Sequence, residues 1–239
     1  MMAVDLLKLS ATTDAGWRLR QPLAVLAEAQ RVVELTSAFA AHADAWPLQK
    51  RYEVAWSLPT IRLLQEVPPT RVLDLGCGYG TLAVAAYLCG HGVVAVDLFT
   101  PPPELTGIRW VCADIQVPGA IPEGEYGVVL MTEVLEHLSV QPAMLFAEIA
   151  RRVALDGCFV GSTPTPGHYG GIEPPADPYR LPTWSDAHEH PDAHVCFYPP
   201  VVLEELLTEA GLQVISMDNI TDGARYLWVA RHREGRREP

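Results

Sequence analysis

The sequence predicts an α/β fold, a doubly wound and mostly parallel sheet of seven strands behind an N-terminal helical extension, and three observations carry that prediction. Short apolar runs recur from Arg71 onward: RVLDL, VVAVD, IRWVC, GVVLM and CFVGS. Runs that are continuous rather than alternating suit strands buried on both faces. Helical stretches at 81–89 and 139–153 separate them, which is the alternation a parallel sheet requires. A further helix near 201–210, stopped by Gly211, leads to closing strands near 212–217 and 226–230.

Ahead of the strands, 22–66 reads as helices, because Leu23, Leu26, Val33 and Phe39 recur at roughly helical spacing. Pro47 and Pro59 suit the starts of later helical turns. Residues 1–66 therefore form an extension or lid, and 67–239 the main domain. Trp17, Trp46, Tyr52 and Trp56 in the extension fit core packing better than a cap over a pocket. Pro101, Pro102 and Pro103 block a regular helix in the one remaining gap between strands. The stretch 164–200 holds nine of the 21 prolines together with His168, His188, His190 and His194. A loop of that length, 164–198, inside a compact domain is usually functional, and Tyr169 with His168 and His188 suits a pocket wall.

Composition narrows the partners. Of the 239 residues 49% are apolar, enough for a sizeable core, and 17 basic against 29 acidic residues give a net charge of -12. That charge works against contact with nucleic-acid backbone. The basic cluster Arg231, Arg233, Arg236 and Arg237 reads as a solvated tail. Cys77, Cys89, Cys112, Cys158 and Cys196 are widely spaced with no CxxC pair, which speaks against a zinc knuckle or a disulfide framework and fits a reducing cytoplasm. No apolar run has the length of a membrane span, and Asp5 interrupts the opening residues where a signal peptide would be apolar.

The sharpest local signal is Val72-Leu73-Asp74-Leu75-Gly76-Cys77-Gly78-Tyr79-Gly80, a strand running into three alternating glycines and then a helix. Glycine lets the backbone turn tightly and approach a ligand closely. Ligands of open parallel sheets bind beyond the carboxyl ends of the strands, where this loop falls. Some 20 residues on, the second strand ends in Asp97, placed to accept a pair of hydroxyls. A third run ends at Asp114-Ile115, a carboxylate beside an apolar face.

In this order DLGCGYG, VVAVD, CADI and YGVVLMTEVLEHL resemble the motif series of the class I, Rossmann-like methyltransferases that use S-adenosylmethionine. The resemblance covers about 71–230, and Cys158 departs from it where the family often has a second glycine after Gly157. It implies that Asp74, Gly76, Cys77, Gly78 and Gly80 contact the methionine part of the cofactor. Asp97 and Leu98 would lie at the ribose, Asp114 and Ile115 at the adenine, with Glu133 also at the cofactor. A nicotinamide dehydrogenase would carry its third glycine one place later, and an acidic Asp74 would repel a pyrophosphate but can face a cation.

The resemblance implies transfer of a methyl group to a small-molecule acceptor, with S-adenosylhomocysteine as the other product. Such a displacement needs alignment and often a base. His137, followed by Glu133, is the candidate catalytic residue, because imidazole titrates near neutrality and favours an oxygen acceptor. The competing reading has 132–138 simply opening a helix, its acids favoured by the helix dipole. The ExxEH pattern also resembles ubiquinone-type O-methyltransferases and small-RNA 3′-terminal 2′-O-methyltransferases. That likeness implies a divalent metal held by Glu133, Glu136, His137 and a downstream His190 or His194, acting on a vicinal diol. Because His194-Val195-Cys196-Phe197-Tyr198 suits metal-free relatives equally well, the metal-free reading is preferred. A cofactor-binding partner protein without turnover is the alternative of another class.

Overall fold

The computed structural model describes residues 4–5, 20–36, 46–98, 105–165, 194–220 and 223–233. Within them the order is β1 (Val4–Asp5), α1 (Pro22–Glu34), α2 (Trp46–Glu66), β2 (Arg71–Leu75), α3 (Thr81–Leu88), β3 (Gly92–Asp97), β4 (Leu105–Thr106) and β5 (Arg109–Cys112). There follow β6 (Tyr126–Thr132), a 3-10 turn (Leu135–His137), α4 (Pro142–Ala150), β7 (Val153–Pro164), α5 (Pro200–Glu209), β8 (Leu212–Ile220) and β9 (Arg225–His232). Trp17, Phe39, Pro101 to Pro103, His168, Tyr169, His188 and His190 fall outside the described residues, as do the side chains of Trp46 and Tyr52. Two units compose the chain, Met1–Ala113 and Asp114–Pro239.

In the first unit β5, β3 and β2 lie side by side and parallel, with Leu73 paired to Val94 and Val96 paired to Val111. Their side chains from Val72 to Leu75 and from Val93 to Val96 are buried, as the continuous apolar runs require. The connecting α3 is apolar all round and buried nearly throughout, which marks a helix enclosed by its own unit. It is covered by α1, whose buried face is Val25, Leu26, Ala29, Val32 and Val33. Leu23, expected on that face, is exposed instead, in the first turn of the helix. A second correction concerns Pro59, which lies inside α2 rather than at the start of a turn. Proline offers no N–H there, and the next residue, Thr60, donates its hydroxyl to Trp56 O at 2.8 Å.

Buried His91 joins the end of α2 to the start of β2. Its Nδ1 accepts the Thr70 N–H at 3.2 Å and its Nε2 lies 2.8 Å from Leu64 O, which assigns the proton to Nε2.

The second unit orders its strands β6, β7, β9, β8, with β6 and β7 parallel and β9 antiparallel to both neighbours. Three parallel strands and these four account for the seven expected. Against them α4 buries Leu145, Phe146 and Ile149, while α5 buries Leu203, Leu206 and Leu207. Phe159 stands edge-on to Phe146 at 5.9 Å and to Trp228 at 6.1 Å, favourable geometry for aromatic pairs. Gly161 pairs with Trp228 across the β7–β9 ladder, and the indole occupies the space a Cβ on residue 161 would need. Gly161→Ala therefore overpacks a fully buried tryptophan. It should lower stability by about 1–3 kcal/mol, read as an earlier urea midpoint at unchanged slope.

Candidate active site

At the end of β2 the chain turns through Gly76, Gly78 and Gly80 with φ of 68°, 53° and 86°. The Gly76 and Cys77 N–H groups both donate to Val96 O, at 2.8 and 3.1 Å. Gly80 then donates to Cys77 O at 2.8 Å and caps α3. Two of the glycines serve different needs. Open space surrounds the position of a Cβ on Gly78, whereas one on Gly80 would strike the Trp110 ring. Trp110 is itself held by its Nε1, which donates to Leu105 O at 3.0 Å.

Asp97 ends β3 beside this loop, where its Oδ2 accepts the Gly78 N–H at 2.7 Å. One carboxylate oxygen thus shapes the glycine turn. Leu98, next in the chain, is exposed. Asp74 is only 2% exposed, and its Oδ2 has no hydrogen-bond partner. Burial, reinforced by the charge of Asp97 and opposed by the Ala83 N–H, pushes its carboxyl up to about 7. A buried carboxyl with an unused oxygen, beside a glycine turn with open space, fits a ligand that brings positive charge.

Asp114 belongs to the second unit, where its Oδ1 accepts the Gln116 N–H at 2.9 Å and the Gln116 Nε2 at 3.3 Å. Gln116 in turn accepts the Ser139 N–H at 2.7 Å, and Ile115 is buried beside it. Gln116 and Ser139 had no signal in the sequence. They connect the third motif to the turn that follows the fourth.

That turn does not open a helix directly. After β6 comes a single 3-10 turn, Leu135–His137, and α4 begins only at Pro142. Glu133 takes φ 54°, a left-handed backbone that costs a side-chain-bearing residue about 1–2 kcal/mol. Its Oε1 accepts the Ser162 hydroxyl at 2.8 Å and its Oε2 accepts Arg225 Nε at 2.6 Å. Glu136 is buried, with Oε2 accepting the Thr163 hydroxyl at 3.1 Å and Oε1 without a hydrogen-bond partner. Burial pushes both carboxyls up, and Arg225 and Ser162 counter it at Glu133. Glu136, further repelled by the charge of Glu133, is therefore pushed up more than Glu133 is.

The Val195 and Cys196 N–H groups both donate to Glu136 O, at 2.6 and 3.3 Å, and bring His194 onto the turn. The His137 and His194 rings meet edge-on at 4.8 Å, and Phe197 stands edge-on to His194 at 5.6 Å. His137 Nε2 lies 3.8 Å from Glu136 Oε1. One ligand atom from each of Glu136, His137 and His194 falls within 4.8 Å of the others. Ser162, Thr163 and Arg225 are the site residues that sequence reasoning missed, since strand pairing brings them in from 27 to 92 positions away.

In each unit taken by itself, the candidate side chains lie at or just beyond the carboxyl ends of parallel strands. Residues 41–217 match the profile of the methyltransferase domain family, the greater part of the chain, and the chain belongs to that family. Its fold is the Rossmann-like α/β fold with a mostly parallel seven-stranded sheet. Ribosomal protein L11 methyltransferases of Burkholderia lata and Ralstonia nicotianae are 33% and 34% identical to it over 116 residues. That match covers 42% of this chain but only 38% of each relative. Among solved structures, an S-adenosylmethionine-dependent methyltransferase from Clostridium acetobutylicum aligns with TM-score 0.59 at 12% identity, over 82% of this chain and 99% of its own. The 1,6-didemethyltoxoflavin-N1-methyltransferase of Burkholderia thailandensis aligns with TM-score 0.54 at 22% identity, over 74% and 77%. At these identities the likeness is one of fold. Among the described residues no helix is long and apolar enough to cross a membrane.

Asp74 supplies a pH test. Its folded-state pKa of about 7 lies above the ordinary 3.8, so between those values the native state holds a proton that the unfolded chain has released. Stability therefore falls as pH rises from about 4 to about 7, by up to about 4 kcal/mol. Asp74→Asn should flatten the melting temperature over that window and raise it near pH 8.

Proposed function

We propose that the chain transfers a methyl group from S-adenosylmethionine to an oxygen of a small-molecule acceptor, with His137 taking the proton of the acceptor. The carrying observation is the His137–His194 pair, set edge-on at 4.8 Å on the turn after β6. The cofactor supplies an electrophilic methyl on a sulfonium. On the protein side Asp74 offers a buried carboxyl to positive charge, Gly76 to Gly80 give the backbone close approach, and Asp97 holds Gly78 while facing the ribose. Asp114 and Ile115 serve the adenine. Glu133, with both oxygens engaged by Ser162 and Arg225, supports the turn more than it touches a reactant. The net charge of -12 favours a small molecule over nucleic acid.

Because the curated relatives that match act, by name, on a ribosomal protein, and one solved neighbour is an N-methyltransferase, the acceptor screen spans hydroxyl, amine and peptide acceptors. Formation of S-adenosylhomocysteine only with hydroxyl compounds supports this reading, and turnover confined to peptides or amines overturns it. His137→Ala should leave cofactor affinity within about twofold and slow transfer by about 100-fold or more. An unchanged rate with the true acceptor removes His137 from the chemistry.

A second reading rests on the ligand atoms of Glu136, His137 and His194 lying within 4.8 Å of one another. These residues would hold a divalent cation of the nitrogen-and-oxygen-preferring kind, which would acidify one hydroxyl of a vicinal diol. Manganese or zinc should then bind the wild type in calorimetry and bind His194→Ala at least about tenfold more weakly. Activity that survives a chelator and is indifferent to added metal excludes it.

A further inference from the structure

Glu133 is the one non-glycine residue with positive φ among the described residues, and three contacts hold it there. Its N–H donates to Ser162 O at 3.0 Å, its Oε1 accepts the Ser162 hydroxyl, and its Oε2 accepts Arg225 Nε at 2.6 Å. Ser162 is part of the same parallel ladder as Thr132, so it would follow the strand end wherever that end went. Arg225 is different. It is 3% exposed, opens β9, and lies beyond the family-matched segment 41–217.

The register of the hairpin fixes Arg225 independently of the turn. It pairs with Pro164 on one side and Ile220 on the other. The neighbouring Ala224 and Gly223 carbonyls accept the Thr165 N–H and hydroxyl, at 2.9 and 2.8 Å. An anchor held so firmly on three strands gives the Glu133 carboxylate one place to sit. Were Glu133 to relax to an ordinary right-handed or extended backbone, the chain would leave β6 in another direction, carrying the 3-10 turn and His137 with it. His194 would be displaced as well, since Val195 and Cys196 hang from the Glu136 carbonyl of that turn.

We propose that Arg225 is a positioning residue for the His137–His194 pair: by anchoring the Glu133 carboxylate it keeps residue 133 left-handed and so sets where the turn presents both imidazoles. The catalytic meaning of the pair rests on the function proposed above, but its placement does not.

The test uses the full chain saturated with S-adenosylhomocysteine at one pH near 8. The imidazole carbon–proton cross-peaks of His137 and His194 are assigned with His137→Gln and His194→Gln. Arg225→Met should move both cross-peaks, and Arg225→Lys should return them toward the wild-type positions. Amide exchange at Glu133, His137 and Val195 should accelerate by about tenfold or more in Arg225→Met while Val129 and Leu130 in β6 keep their protection. The double variant Glu133→Gly with Arg225→Met removes both members of the ion pair, so neither is left buried without its partner. Because glycine takes φ 54° without an anchor, its cross-peaks should lie near those of the wild type.

Unmoved cross-peaks in folded Arg225→Met would sink the proposal. So would equal acceleration at Val129 and Leu130, which would mean general loosening, or a double variant whose cross-peaks stay displaced. If these shifts appear but His137→Ala still transfers methyl groups, the positioning role stands and the base assignment alone fails.

Discussion

The register between β2 and β3 is the constraint on which the glycine loop depends. Pairing Leu75 with Val96 leaves the Val96 carbonyl at the strand end, where it takes both the Gly76 and the Cys77 N–H. The chain must then turn at once, and it can do so only through left-handed residues, which is why glycine occupies 76, 78 and 80. One residue beyond Val96, Asp97 finds the Gly78 N–H within reach and closes the loop on itself. A slip of one residue would turn each side chain of β2 to the opposite face and take Asp97 away from the glycines. Strand pairing and the geometry of the glycine loop are thus one arrangement.

Buried charge governs the second unit in a comparable way. A carboxylate taken from water must be neutralised, paired or heavily hydrogen-bonded. Glu133 and Glu136 lie three positions apart and solve this differently. Glu133 is paired to Arg225 and Ser162, while Glu136 has only Thr163 and lies close to the charge of Glu133, so burial drives it toward the protonated form. The strained backbone at Glu133 persists because the paired carboxylate over-determines it. Strain and pairing occur together where β6 gives way to the His137 turn.

The same packing device appears in both units. Gly80 lies against the ring of Trp110 and Gly161 against that of Trp228, each ring filling the volume a Cβ would take. The first presses on the loop that leaves β2, the second lies in the ladder of β7 with β9. Large rigid rings set into glycine gaps leave little room for neighbouring backbone to shift, and close-packed interiors transmit such constraints.

What the sequence determined by itself was the local and the periodic. The strands at 71–75 and 93–97, the glycine turn, the acid at 97 and the helices α3 and α5 could be read because each depends on neighbours within a few residues: apolar run length, glycine spacing and stop signals. Where a residue's environment comes from afar, the reading failed. Leu23 stayed exposed in the first turn of α1, and Pro59 was absorbed into α2. Tertiary structure alone decided that Arg225, 92 positions from Glu133, would be its partner, and that Gln116 would link Asp114 to Ser139. It also decided that His194 would meet His137, because backbone bonds to Glu136 brought it there. The physical reason is that an ion pair or an edge-on ring contact has no periodicity and leaves no trace in local spacing. It exists only once strand register has set two distant segments side by side.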